Sequence, residues 1–229
     1  MTKLLFKTTG NGMMLSAAIF AALLQAVPVY AAEVTPRRRA SYEVRQDEVT
    51  GPGLSAALRL RTMSCPEGLE EALWHEAVGN TLAMKELAEK NAERVNAVRA
   101  AAGLPPLTLN TDLSVIAAYR AAYMRKYLAF SHYDQNGVYL PWDVGDRYFQ
   151  AETDIRENYY YRYGGGLRPD YEVLETVSAE IEAEGQAWLE QSPDHYGNMV
   201  TAQYTEIGIG ISSAAPGEQY VDTIVQIFR

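Results

Sequence analysis

Three histidines, a single cysteine and sixteen tyrosines are the residues of this 229-residue chain that invite chemistry. An imidazole can hold a divalent metal, act as a base near neutral pH, or anchor a loop by hydrogen-bonding a carboxylate or carbonyl. His132 and His195 lie far apart in the chain, so no local spacing marks them as a metal pair, and the anchoring role stays open for each. Ser131 and Ser192 each sit near a histidine, but nearness in sequence does not set a hydroxyl against an imidazole nitrogen. His75, beside Trp74 on an expected helix, reads as structural. Asp134-Gln135-Asn136-Gly137 lacks the spaced carboxylates and closing Glu of a calcium loop and reads as a turn. Cys65 stands alone, which rules out an intramolecular disulfide, and it reads as a small buried hydrophobe.

The tyrosines gather. Tyr133, Tyr139, Tyr148, Tyr159, Tyr160, Tyr161 and Tyr163 crowd a stretch from Ser131 to Asp170 that is otherwise rich in Gly, Pro, Asp and Asn. That stretch reads as a long irregular segment, of the kind that carries function when it sits inside a compact domain. A ring with a polar tip suits sugars, peptides and lipid-like ligands, and it equally suits covering the edge of a core. The residues alone leave both readings open.

Elements must position these groups. Lys3 and Lys7 precede an apolar run from Met13 to Val27, and Val29-Tyr30-Ala31 offers a signal-peptidase site, so residues 1–31 read as a secretion signal. The run is too short to favour a membrane anchor, and Arg37-Arg38-Arg39 follow it on the wrong side for one. About 198 residues then remain, enough for one medium domain plus an extension. The net charge of −9 argues against nucleic acid as a partner, and 48% apolar residues can build a core.

Residues 32–66 carry Pro36, Gly51, Pro52 and Gly53 and read as a linker. Glu67 to Ala102 reads as helix, divided near Gly79-Asn80 and stopped by Gly103 and Pro105-Pro106. Asn110 or Thr111 can cap the next helix. Tyr171 to Leu189 is helical again. Tyr204–Ile211 and Tyr220–Phe228 alternate with period two around Pro216-Gly217, a β-hairpin with one face on a core. Helices followed by antiparallel strands give an α+β domain.

The order of short motifs carries a resemblance. Asn96-x-x-Arg99 is followed by Gly103-Leu104-Pro105-Pro106-Leu107, Asn110, Phe130-Ser131-His132 and Glu157-Asn158. Trp188, Ser192-Pro193-Asp194-His195-Tyr196-Gly197-Asn198-Met199 and Tyr204-Thr205-Glu206-Ile207-Gly208 complete the series. This resembles the CAP superfamily (SCP-like, cysteine-rich secretory, antigen 5 and pathogenesis-related proteins), in its bacterial, disulfide-free branch. The resemblance covers residues 88–229 and leaves 67–87 as a helical extension. It implies a three-layer α-β-α sandwich with an open cleft, lined in the family by two histidines and two acids. His132, Glu157 and His195 match three of these, while Glu190 or Gln191 is the nearest match to the second acid. Arg156 departs from the family, where a glycine usually precedes the Glu-Asn pair. The segment Tyr159–Tyr171, with Gly164-Gly165-Gly166 inside it, looks like a longer insertion forming a flap.

Within that resemblance, two imidazoles and a carboxylate suffice for a divalent ion with open positions, and zinc suits the donors. The expected metal set is His132, His195 and Glu157. The expected function is a secreted or periplasmic protein whose cleft, with Tyr159 and Tyr160 beside the acids and histidines, binds a small molecule, lipid, glycan or peptide. A metal-assisted peptide or ester hydrolase using Glu157, the candidate catalytic group, with His132 and His195 is the alternative, weakened by the lack of a placed nucleophile. The third reading is an interaction protein whose tyrosine flap meets an extracellular protein. No membrane span is expected once the signal is removed.

Overall fold

In the computed structural model, residues 59, 60 and 62–229 are described; the signal segment and most of the linker lie outside them. Six helices of seven residues or more and four strands follow in the order α1 (Glu71–Ala83), α2 (Lys85–Ala101), β1 (Thr108–Leu109), α3 (Thr111–Tyr127), α4 (Leu140–Phe149), β2 (Arg156–Leu167), α5 (Leu174–Gln191), α6 (Pro193–Met199), β3 (Glu206–Ser213) and β4 (Gln219–Phe228). The helical reading of residues 67–102 holds from Glu71 to Ala101, residues 67–70 being a turn, and the break falls at Met84 rather than at Gly79. Gly79 faces open space within a regular helix, where a glycine weakens the turn without ending it. Asn110 caps α3, its Oδ1 accepting from the amides of Asp112 at 2.9 Å and Leu113 at 3.2 Å.

The stretch read as irregular is built instead from α4 and β2. Pro141 starts α4 in the first turn, where its missing N–H costs nothing. β2 escapes a period-two reading because aromatic residues occupy both of its faces in turn. Its tyrosines are good strand formers, and the segment expected as a flap is strand as far as Leu167.

The sheet has the order β1-β3-β4-β2; β1 runs parallel to β3, and the β3–β4 and β4–β2 pairs are antiparallel. One face carries α3 with α1 and α4 outside it, around Leu113, Ile116, Val225 and Ile227. The other carries α2, α5 and α6 around Val95, Ile181, Ile207, Ile209 and Ile224. This is the expected α-β-α sandwich. β3 divides its residues cleanly between the layers: isoleucines face α2 and α5, while Gly208 and Gly210 lie under α3. A Cβ on either glycine would run into the main chain of Leu113 or of Ala117 and Ala118, so their absence lets the helix settle on the sheet.

The helical extension joins the first core. Trp74, 1% exposed, packs with Leu60, Leu73, Ala77 and Val78 among the residues around α3, and its ring lies 5.7 Å from that of Tyr148. Cys65 is free and half-buried beside the same cluster rather than sealed inside it. His75 is exposed on α1, 3.6 Å from Glu71.

Candidate functional site

Successive residues of a strand point to opposite faces of the sheet. Glu157 and Asn158 exploit this. Glu157 turns toward the α3 layer, where Arg120 Nε donates to Oε1 at 2.7 Å and Arg120 Nη2 reaches Oε2 at 3.2 Å. His132 Nδ1 meets the same Oε2 at 2.8 Å. Asn158 turns toward the α5 layer, where its Nδ2 donates to the carbonyl of His195 at 2.9 Å and its Oδ1 accepts from Asn198 at 2.8 Å. Two consecutive residues therefore hold two histidines from opposite layers of the sandwich.

The two imidazoles border one cavity of about 410 Å³, walled by Tyr159, Tyr160, Tyr161 and Trp188. Phe130 stacks on Tyr161 with ring centroids 3.8 Å apart, and Tyr159 tilts against His132 at 4.7 Å. On the far side Trp188 lies 5.3 Å from His195 and 5.5 Å from Tyr160. Tyr159 and Tyr160 thus line the cavity, and Trp188 and Tyr161 line it with them.

Glu157 is not exposed to the cavity. It is fully buried behind His132, and both its oxygens are occupied. Burial alone would raise its pKa, but the Arg120 charge and the hydrogen bond and charge of His132 outweigh it and hold the carboxyl below the usual range. The expected three-ligand metal set is accordingly not assembled: among the described residues no group of three His, Cys, Asp or Glu side chains is placed to hold an ion. Glu157 braces His132 instead. A carboxylate can only accept, so the shared proton sits on Nδ1 and Nε2 is the ring nitrogen left for other partners.

His195 differs. Desolvation, then the nearby His132, pushes its pKa down to about 4, so the ring is neutral at physiological pH. Its Nδ1 is buried and meets no hydrogen-bond partner among the described residues.

Glu190 and Gln191, the matches for a second acid, do not line the cavity. Both are exposed on α5; Glu190 accepts from Gln186 at 2.7 Å and Gln191 donates to the Ala187 carbonyl at 3.0 Å. Arg156 does not narrow the cleft either; it pairs with Asp154 at 2.7 Å and lies 5.3 Å from the Trp142 ring. Ser131 Oγ accepts from the Tyr133 amide, outside the cavity wall. Asp134 closes a turn by accepting from the amides of Asn136 and Val138, as its sequence suggests.

Sequence reasoning missed Arg120, a buried cation inside an Ala-rich helix, whose signal was a lone charge on an otherwise apolar face. It also missed a buried amide relay behind His195. Asn91 Nδ2 donates to Glu182 and Gln186, Gln226 Nε2 donates to Asn91 and Gln186, and Asn158 joins through Gln226. The Asn96-x-x-Arg99 motif is scaffold. Asn96 bonds both main-chain groups of Leu107, and buried Arg99 gathers the carbonyls of Pro105, Met199, Thr201 and Tyr204, pinning the end of α6.

A family model described as the cysteine-rich secretory protein family, CAP, matches residues 92–228. The chain belongs to this family. The match covers well over half of the 229 residues and takes in both histidines. Among solved structures, this CAP protein is similar to an outer surface protein of Borrelia burgdorferi, with a TM-score of 0.46 at 17% identity over 63% of this chain and 92% of that one. It is also similar to an extracellular protein containing an SCP domain from Bacillus anthracis, with a TM-score of 0.43 at 17% identity over 63% and 40%. A cysteine-rich secretory protein from Staphylococcus aureus gives 0.38 at 15% identity over 63% and 39%. The CAP chain spans about two fifths of the length of the last two. A comparison with curated proteins finds no match.

Proposed function

We propose that this CAP protein is exported and binds an extracytoplasmic ligand in the cavity between His132 and His195. The observation that carries the reading is the cavity itself: four aromatic rings and two imidazoles around about 410 Å³, within the range of small-ligand sites. Ring faces supply apolar contact, while His132 Nε2 offers an acceptor whose orientation is fixed from behind. Export rests on the N-terminal residues, which lie outside the described part. Among the described residues no helix is long and apolar enough to cross a membrane.

Zinc suits the donors as a weak partner of this site. His132 through Nε2 and a neutral His195 would hold it, and the buried, unbonded Nδ1 of His195 fits a ring whose polar capacity is not spent on the scaffold. A bound ion would act as a Lewis acid toward a ligand carbonyl or water. With two protein ligands, affinity falls well short of a closed structural site.

The hydrolytic alternative has one observation in its favour, the His132–Glu157 pair, which has the form of a base and its orienting carboxylate. No serine or cysteine lines the cavity to be activated, so binding is the better-supported function.

The test is titration of the mature chain with zinc and with a panel of fluorescent fatty acids and oligosaccharides. Trp188→Ala and His132→Ala should each weaken organic-ligand binding about tenfold or more. Full affinity in both variants would overturn the reading.

A further inference from the structure

The cavity lies against the edge of the sheet. Tyr159, Tyr160 and Tyr161 are consecutive on β2 and point alternately to the two faces, yet all three line it. A space touching three successive strand residues must border the strand's side, and one side of β2 is taken by β4. Residues from both layers flank the remaining side, Tyr159 and His132 on one face and Tyr160, Trp188 and His195 on the other.

The ladder shows which main-chain groups point outward. Arg229 exchanges bonds with Glu206, and the Ala214 amide donates to the Val221 carbonyl, so the odd-numbered residues of β4 serve β3. The even-numbered residues, Phe228, Gln226, Ile224 and Asp222, therefore bond to Arg156, Asn158, Tyr160 and Arg162. Glu157, Tyr159, Tyr161 and Tyr163 then turn their N–H and C=O away from the sheet. The Glu157 amide confirms this parity by donating outward to the Tyr139 hydroxyl at 2.9 Å. From Tyr159 onward no further strand of the described residues takes these groups.

We infer that the occupant of this site is an extended peptide, which adds to β2 as a fifth strand and places a side chain in the aromatic cavity. The inference rests on the ligand-binding reading above and narrows it. Main-chain donors and acceptors recurring every second residue match the repeat of another extended chain. A lipid tail along the same edge would leave those groups facing hydrocarbon without partners. The regular edge also continues past the cavity to Tyr163, which is exposed, so an occupant longer than the cavity still finds partners there.

The probe is a displayed library of random peptides of about ten residues, long enough to follow the strand. The strongest are resynthesised and measured by fluorescence anisotropy against the mature chain. N-methylation at alternate peptide residues should lower affinity about tenfold, with little effect at the residues between. Tyr161→Pro removes one outward N–H without touching the β2–β4 ladder and should cost a similar factor, whereas Tyr161→Phe should not. Binding should also slow amide exchange at Tyr159, Tyr161 and Tyr163. The methylation series decides the matter even where the proline variant folds poorly. Selection of no saturable peptide, or indifference to methylation, overturns the inference. So does protection of these amides that rises with protein concentration alone, which would mark β2 of a second copy as the occupant. A chain that takes the fatty acid or oligosaccharide probes but no peptide loses this inference and keeps the proposed function; a chain that takes none of them loses both.

Discussion

At the scale of single residues, the candidate site rests on a buried charge that does not line the cavity. Arg120 and Glu157 are both about fully buried, with side-chain exposures of 1% and 0%. Removing one partner of such a pair leaves the other uncompensated. Arg120→Leu should therefore cost about 3–5 kcal/mol in urea unfolding, and adding Glu157→Leu should restore part of the loss. His195 gives a pH signature. Its folded pKa of about 4 lies below its ordinary 6.5, so the unfolded chain takes up the proton first on acidification. Its part in stability is whole above about pH 6.5, falls as the pH drops to about 4, and levels off below, a loss of at most roughly 3 kcal/mol. The depressed Glu157 carboxyl adds its own loss once the pH falls below its ordinary 4.5, continuing down through its folded value. Urea curves at pH 7, 6 and 5 in the presence of a chelator should show the first slope in the native chain and not in His195→Gln. The histidines and Glu157 were legible as a family pattern, but their division of labour was not. Nothing in the chain says that Glu157 has both oxygens occupied, because Arg120 reaches it only through the fold.

At the scale of elements, legibility followed how plainly each segment advertised one period. α3 and the β3–β4 hairpin were readable because caps, turns and apolar spacing agreed. β2 was not, since neighbouring tyrosines blur the contrast between its faces. α4 was missed because ten residues with Pro141 and Gly145 inside look like loop chemistry. The small residues of β3 had a readable consequence: a helix lies directly over them. Gly208→Ala should lower stability by several kcal/mol, because the obstacle is helix backbone rather than a movable side chain. Gly79→Ala, in open helical space, should instead raise stability by about 0.5–1 kcal/mol. Thermal unfolding of the two variants side by side separates a glycine needed for approach from one that is merely tolerated.

At the scale of the molecule, the compact body is larger than the family match. The match begins at residue 92, yet Leu60, Leu73, Trp74, Ala77 and Val78 cover the outer side of α3. Trp74→Ala should cost about 3–5 kcal/mol, as for other large core truncations. A chain beginning at residue 88 should expose apolar surface, read out as dye binding and loss of a cooperative thermal transition. Intact cooperative unfolding of that shortened chain would show that the α1 region is a detachable cover.

The placement of Glu157 and Asn158 on opposite faces has one further consequence. Slipping β2 by a single residue against β4 would exchange the two, sending the carboxylate into the amide relay and the amide toward Arg120. Neither histidine would then keep its anchor, and two buried polar groups would lose their partners together. The motif that arms the cleft thus also proofreads the strand, so a misaligned chain cannot carry a working site.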